Sequence, residues 1–153
     1  MEWMILPFKR YAQFTGRSRR MEFWMFALLN VIVYIVLAIL AFGILGAGDA
    51  FSGNIDPNDP MSMYGGFFSG AGLLFVLWWL VVLIPGIAVG VRRLHDRNIS
   101  GWWYLGLVVA SFIPFLGIIA GIAFLVLMVL PGTDGPNRFG PDPKNPGSAE
   151  TFS

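Results

Sequence analysis

Apolar and charged positions along this chain separate into long blocks. No charged side chain occurs between Glu22 and Asp49, between Asp59 and Arg92, or between Arg97 and Asp134. A helix crosses a bilayer with about 20 predominantly apolar residues, and each block contains at least that many. The first block predicts a helix over 23–46, roughly 36 Å of chain at about 1.5 Å per residue. Asn30 and Tyr34, four apart, share one of its faces and are expected to look at other helices rather than lipid. The second block predicts a helix over 70–91, bent where Pro85-Gly86 interrupts the backbone ladder. The third, Trp102 to Leu130, would measure about 43 Å as one straight rod, longer than the hydrocarbon core. "FIPFLG" stands in its middle, so it reads better as two short helices, 101–113 and 116–130, broken at Pro114 and Gly117. Such a pair must be re-entrant, tilted or set in a thinned bilayer.

Composition agrees with the blocks. The 153 residues are 56% hydrophobic and 12% charged, against about a quarter charged in soluble domains. A single small core cannot hide that much apolar surface, so the fold class expected is all-α, a polytopic membrane bundle of four hydrophobic helices. One domain covers 1–143 and a disordered tail 144–153. With no cysteine, disulfides and thiolate metal sites are excluded. A net charge of +1 gives no footprint for nucleic acid.

The segments between the blocks carry the remaining signals. Residues 1–22 mix aromatic and cationic side chains around Pro7, which suits an interfacial leader. The apolar run behind it is too long for a cleavable signal and is expected to be retained. The loop 47–69 is rich in turn residues and holds three aspartates without Lys or Arg. Asp49, Asp56 and Asp59 lack the spacing of a calcium loop. Five cations lie in the leader, and Arg92, Arg93 and Arg97 stand in the loop 92–100. Cytoplasmic loops collect such cations, which orients the amino terminus inward and the acidic loop outward. Four helices with both ends inside are favoured over three spans with the tail outside. Residues 131–143 are too rich in Pro and Gly to be helical and are expected to dock as a chain of turns.

Three motifs stand together in this order: "FTGRSRRMEFW" from Phe14, "RRLHDRNISGWW" from Arg92 and "PGTDGPNRFGPDP" from Pro131. They resemble the small bacterial inner-membrane proteins of the YhaH/YhaI type, a family of unknown function, over nearly the whole chain. The resemblance implies location in the bacterial inner membrane and a multi-pass fold, and brings no reaction, substrate or cofactor. It also marks Gly16, Trp24, Gly101, Trp102, Asn137, Gly140 and Pro141 as structural motif positions. Here the outer loop is long, and Asn98 stands where a glycine is common.

The charged motif residues are the candidate site: Arg17, Arg20, Glu22, Arg92, Arg93, His95, Asp96 and Asp142. Charges at a low-dielectric boundary tend to be paired. Glu22 is expected to meet one of the loop arginines, and Arg17 or Arg20 to meet Asp96 or Asp142, fastening segments remote in sequence. The functional reading of the same residues is a patch of guanidinium forks for anionic phospholipid headgroups or a protein partner. A homo-oligomeric channel or a transport accessory protein is the alternative, although no ionisable residue sits mid-span as a carrier would want. Catalysis by His95 and Asp96 is disfavoured because adjacent side chains point apart on a helix and no nucleophile accompanies them. The chain is therefore not read as an enzyme, and no metal or cofactor is expected. Asp96 or Ser100 is expected to cap the third helix, and His95 to bond a backbone carbonyl. Trp24, Trp102 and Trp103 are expected to be interfacial anchors.

Overall fold

The computed structural model describes residues 2–41, 58 and 70–145. The end of the first predicted span, the outer loop with its aspartates apart from Asn58, and residues 146–153 lie outside the described residues. Among the described residues are five helices and no strand: α1 (Glu2–Lys9), α2 (Arg20–Ile39), α3 (Gly70–Asp96), α4 (Trp102–Ser111) and α5 (Leu116–Val129). They fall in two compact units, Met1–Phe26 with Ile84–Ser153, and Ala27–Leu83.

Two helices are long and apolar enough to cross a membrane, Arg20–Ile39 and Gly72–Asp96. Only 11% and 28% of their apolar windows are buried. The core helix of a soluble protein would be mostly buried, whereas faces of exposed Leu, Ile and Val suit lipid. Within the unit Ala27–Leu83, Tyr34 stacks on Phe75 with ring centroids 6.2 Å apart and planes 5° apart. Its face of α2 therefore meets another helix.

The elements differ from the expected ones at three places. A short helix, α1, forms inside the basic leader and includes Pro7. The proline's missing N–H removes one ladder bond, and the helix ends two residues beyond it. The second predicted helix was expected to stop at Val91, but α3 continues through Asp96. Nothing in "RRLHD" breaks a helix; the stop comes at Asn98, which takes a left-handed φ of 59°. That conformation suits glycine, then asparagine, so Asn98 can end the helix here. The third difference is the turn between α4 and α5. Phe115 has a φ of 63° and forms the break together with Pro114, whereas Gly117 lies inside α5. A Cβ on Gly117 would stand 2.7 Å from the carbonyl oxygen of Ser111. Gly117 thus lets the two helices approach rather than ending one of them.

At ten and fourteen residues, α4 and α5 measure about 15 and 21 Å. They pack on each other as a hairpin. Tyr104 and Phe124 meet edge to face, centroids 5.7 Å apart, and Phe124 meets Phe23 at 6.0 Å. Phe8 of α1 meets Phe26 at 5.3 Å. Around these rings Ala88, Val89, Leu94, Ala120 and Met128 are buried. The largest fully buried side chains, however, are Arg92 and Arg93. Charged side chains are almost never fully buried unless paired, so the partners of these two define the site.

Candidate functional site

The last two turns of α3 carry Arg92, Arg93, His95 and Asp96, on a helix rather than on the loop expected for them. Arg92 Nη2 donates to Glu22 Oε1 at 2.9 Å, and the other carboxylate oxygen of Glu22 accepts from Ser18 Oγ at 2.6 Å. The amide of Ser18 in turn donates to the carbonyl of Arg92 at 3.2 Å. Glu22 belongs to the first turn of α2, where a carboxylate also faces the positive end of the helix dipole. One turn further along α3, Asp96 serves two arginines. Arg17 Nε and Nη2 both lie 3.0 Å from its Oδ1, and Arg93 Nη1 bonds its Oδ2. Both ion-pair centres are buried. Buried charge survives best when the remaining lone pairs and protons are also satisfied; the neighbouring backbone supplies those partners around Asp96, whereas Arg92 Nε and Nη1 are buried without one.

The last four carbonyls of a helix lack partners within it, and away from water each must find one. At the end of α5, Arg93 donates to the carbonyls of Met128 and Leu130, Arg20 to Val129 at 3.3 Å, and Arg97 to Pro131 at 2.5 Å. The end of α3 is capped in return by the tail. Asn137 Nδ2 donates to the carbonyl of His95 at 3.0 Å, and the amide of Thr133 donates to that of Asp96 at 2.8 Å. Beyond α5, Arg17 reaches the carbonyls of Thr133 and Gly135, each at 2.6 Å, and Arg19 reaches that of Pro143. Five guanidinium groups from two segments thus collect the carbonyls of a third. A Cβ at Gly132 would run into the Asp96 carboxylate, so the chain can pass this closely only with glycine there.

The tail itself is a set of turns. Asn137 and Gly140 exchange backbone bonds at 3.0 Å, and Asn137 Oδ1 accepts from the amide of Phe139. Asp142 is buried and accepts from the amides of Lys144 at 2.8 Å and Gly135 at 3.2 Å. The Lys144 amide first, then that of Gly135 and the charge of Arg17, hold its carboxyl below the ordinary aspartate range. A carboxyl lowered by folding stabilises the native state fully above its unfolded pKa of about 3.9, and that stability disappears as pH falls through the native value. The carboxyl carbon of Asp142, followed by NMR, is expected to titrate below 3.9, and the tail turn to loosen across that same acid range. Titration at or above 3.9 would contradict the arrangement.

Of the expected residues, Glu22, Arg92, Arg93, Arg17 and Asp96 are brought into ion pairs. Arg20 is exposed and bonds a carbonyl, with no carboxylate partner among the described residues. The reach of Asp142 goes to amides instead of to an arginine fork. His95 Nδ1 lies 3.2 Å from the carbonyl oxygen of Gly16, so His95 and Asp96 turn to different partners. The capping expected of Asp96 or Ser100 is replaced by Gly101, which begins α4 without a side-chain bond because Asp96 is already committed to two arginines. Gly16 has a φ of 86°, while Trp24, Trp102 and Pro141 are exposed. Ser18 and Thr133 were not legible as partners in the sequence, and Arg19 and Arg97 stood there as cations of the same face without assigned acceptors. The signal for Arg97 was present, since cations favour helix C-termini. Among the described residues no three His, Cys, Asp or Glu side chains gather as a metal site.

Residues 11–141 match the family described as "Protein of unknown function (DUF805)". The chain is 37% identical to the inner membrane protein YhaH of Escherichia coli K12 over 146 residues, 94% of this chain and 98% of that relative. It is 34% identical to the inner membrane protein YhaI of the same strain over 144 residues, 94% and 97% of the two chains. No solved structure matches.

Proposed function

The chain belongs to the DUF805 family of proteins of unknown function, and from that premise we propose a multi-pass inner-membrane protein whose cytoplasmic-face network of Arg, Glu and Asp fastens its helices together. In this reading α2 and α3 cross the bilayer, and the hairpin α4–α5 enters from the cytoplasmic side and returns to it. The lengths support this: two helices long enough to cross, and two of about 15 and 21 Å that fall short of the roughly 30 Å core. The start of α2, the end of α3 and the end of α5 meet in one set of guanidinium contacts, which favours an even number of passages. The arginine-rich side of that set is cytoplasmic by the positive-inside rule.

The observation that carries the proposal is the commitment of Arg17, Arg19, Arg20, Arg93 and Arg97 to carbonyls between Met128 and Pro143. Forks already donating to backbone and carboxylate leave few donors for a lipid phosphate, which favours fastening over headgroup capture as their role. Reporter fusions test the topology. Green fluorescent protein joined to the carboxyl terminus is expected to fluoresce and alkaline phosphatase to be inactive; active phosphatase would place the tail outside and overturn the arrangement.

A further inference from the structure

Beside the network lies a groove of a different kind. Its polar landmark is His95, the chain's one histidine. The imidazole lies flat on Phe139, centroids 4.0 Å apart and planes 5° apart. Nδ1 faces the carbonyl oxygen of Gly16 at 3.2 Å. A carbonyl only accepts, so Nδ1 carries the proton, and in the neutral ring Nε2 keeps a bare lone pair. No donor among the described residues meets that lone pair. The ring borders the space beside Gly101, where an added Cβ would stand 3.2 Å from Nε2 and 2.6 Å from Val91 Cγ1.

That space opens into a cavity of about 640 Å³, within the roughly 300–1,000 Å³ of small-molecule sites. Phe14, Trp102, Tyr104, Leu105, Val108 and Phe139 wall it, and no charged side chain lines it. Ser100 and Trp102 stand where α4 leaves the charged network, and Leu105 and Val108 follow along its apolar length. A ligand fitting this wall has an apolar chain and a small neutral head that donates one hydrogen bond. An anionic phosphate would be desolvated against a wall that has no charged side chain of its own; Arg138, over the Phe139 ring, donates to the carbonyl of Asn98. A choline head offers no donor for Nε2.

We propose that the groove between the end of α3 and the start of α4 takes a neutral, hydroxyl-bearing membrane lipid, its O–H donating to Nε2 of His95 and its chain lying along Trp102, Leu105 and Val108. The inference rests on the membrane setting proposed above but uses none of the guanidinium contacts. Its test is independent of topology.

The single histidine makes the test direct. Full-length protein carrying ¹⁵N-histidine is placed in phosphatidylcholine nanodiscs and titrated with 1,2-dioctanoylglycerol or with its O-methyl ether. Before addition, two well-separated ring-nitrogen signals of the Nδ1–H tautomer are expected. Dioctanoylglycerol is then expected to move the unprotonated Nε2 signal upfield in a saturable manner, while the ether leaves it in place. Leu105→Trp, filling the groove from a half-exposed position, is expected to keep the starting signals and lose the response. If that variant changes the starting spectrum, Val108→Trp serves in its place. An unmoved Nε2 signal, an equal response to the ether, a full response in the filled variant, or a proton on Nε2 at the outset would each overturn the proposal.

Discussion

Glu22→Arg is expected to remove most of the folded, detergent-stable protein. Arg92 is fully buried, and Glu22 Oε1 is the side-chain acceptor it reaches. Breaking a buried pair by removing one partner costs about 3–5 kcal/mol, because the surviving charge is left uncompensated. Reversal adds repulsion between two guanidinium groups and takes the acceptor from Ser18 Oγ. Set against total stabilities of about 5–15 kcal/mol, that loss is a large fraction of the whole. The swap Glu22→Arg with Arg92→Glu is expected to recover part of the thermal midpoint. Replacing both residues with methionine is expected to cost far less than either single change, since well-packed apolar pairs often substitute for buried ion pairs. Size-exclusion profiles after heating would read these variants beside the parent. A Glu22→Arg variant as heat-stable as the parent would refute the fastening role.

The second large effect is expected at Asp96. Asp96→Asn removes the anion shared by Arg17 and Arg93, leaving two buried cations facing a neutral amide. The cost is again on the order of 3–5 kcal/mol, and it falls on the tail more than on the helices. Arg17 also holds the carbonyls of Thr133 and Gly135, and without Asp96 nothing fixes the fork that reaches them. Limited trypsin digestion is therefore expected to cut at Arg138 in the variant at enzyme levels that spare the parent. Gly132→Ala, which pushes a methyl group against the same carboxylate, is expected to act in the same direction and less strongly. Equal resistance of Asp96→Asn and parent would show that the tail is held by other contacts.

The differences between expectation and structure have local physical causes. The charge of residues 92–97 suggests a loop, yet α3 continues through Asp96 because Arg and Leu are good helix formers. The break at Pro114 was legible from proline chemistry. The role of Gly117 was not, because it depends on how closely Ser111 approaches from the neighbouring helix. The pairing of Glu22 with a loop arginine was legible as a class of contact. The choice of Arg92 over Arg93 was not, since neighbouring residues on a helix point about 100° apart and only the packing of α2 selects between them. Arg19 and Arg97 are legible as members of the charged edge, but their partners are not: these are carbonyls, which every residue possesses and no residue type announces.

Block pattern and composition alone were sufficient for the all-helical class, the apolar segments and the charged edge. These follow from the cost of placing charge in hydrocarbon, which acts on each position separately and so is written along the chain. Which fork holds which oxygen had to come from the fold. Many pairings among eight arginines and a few carboxylates satisfy the same composition, and their energies differ through distances and burial set by helices remote in sequence.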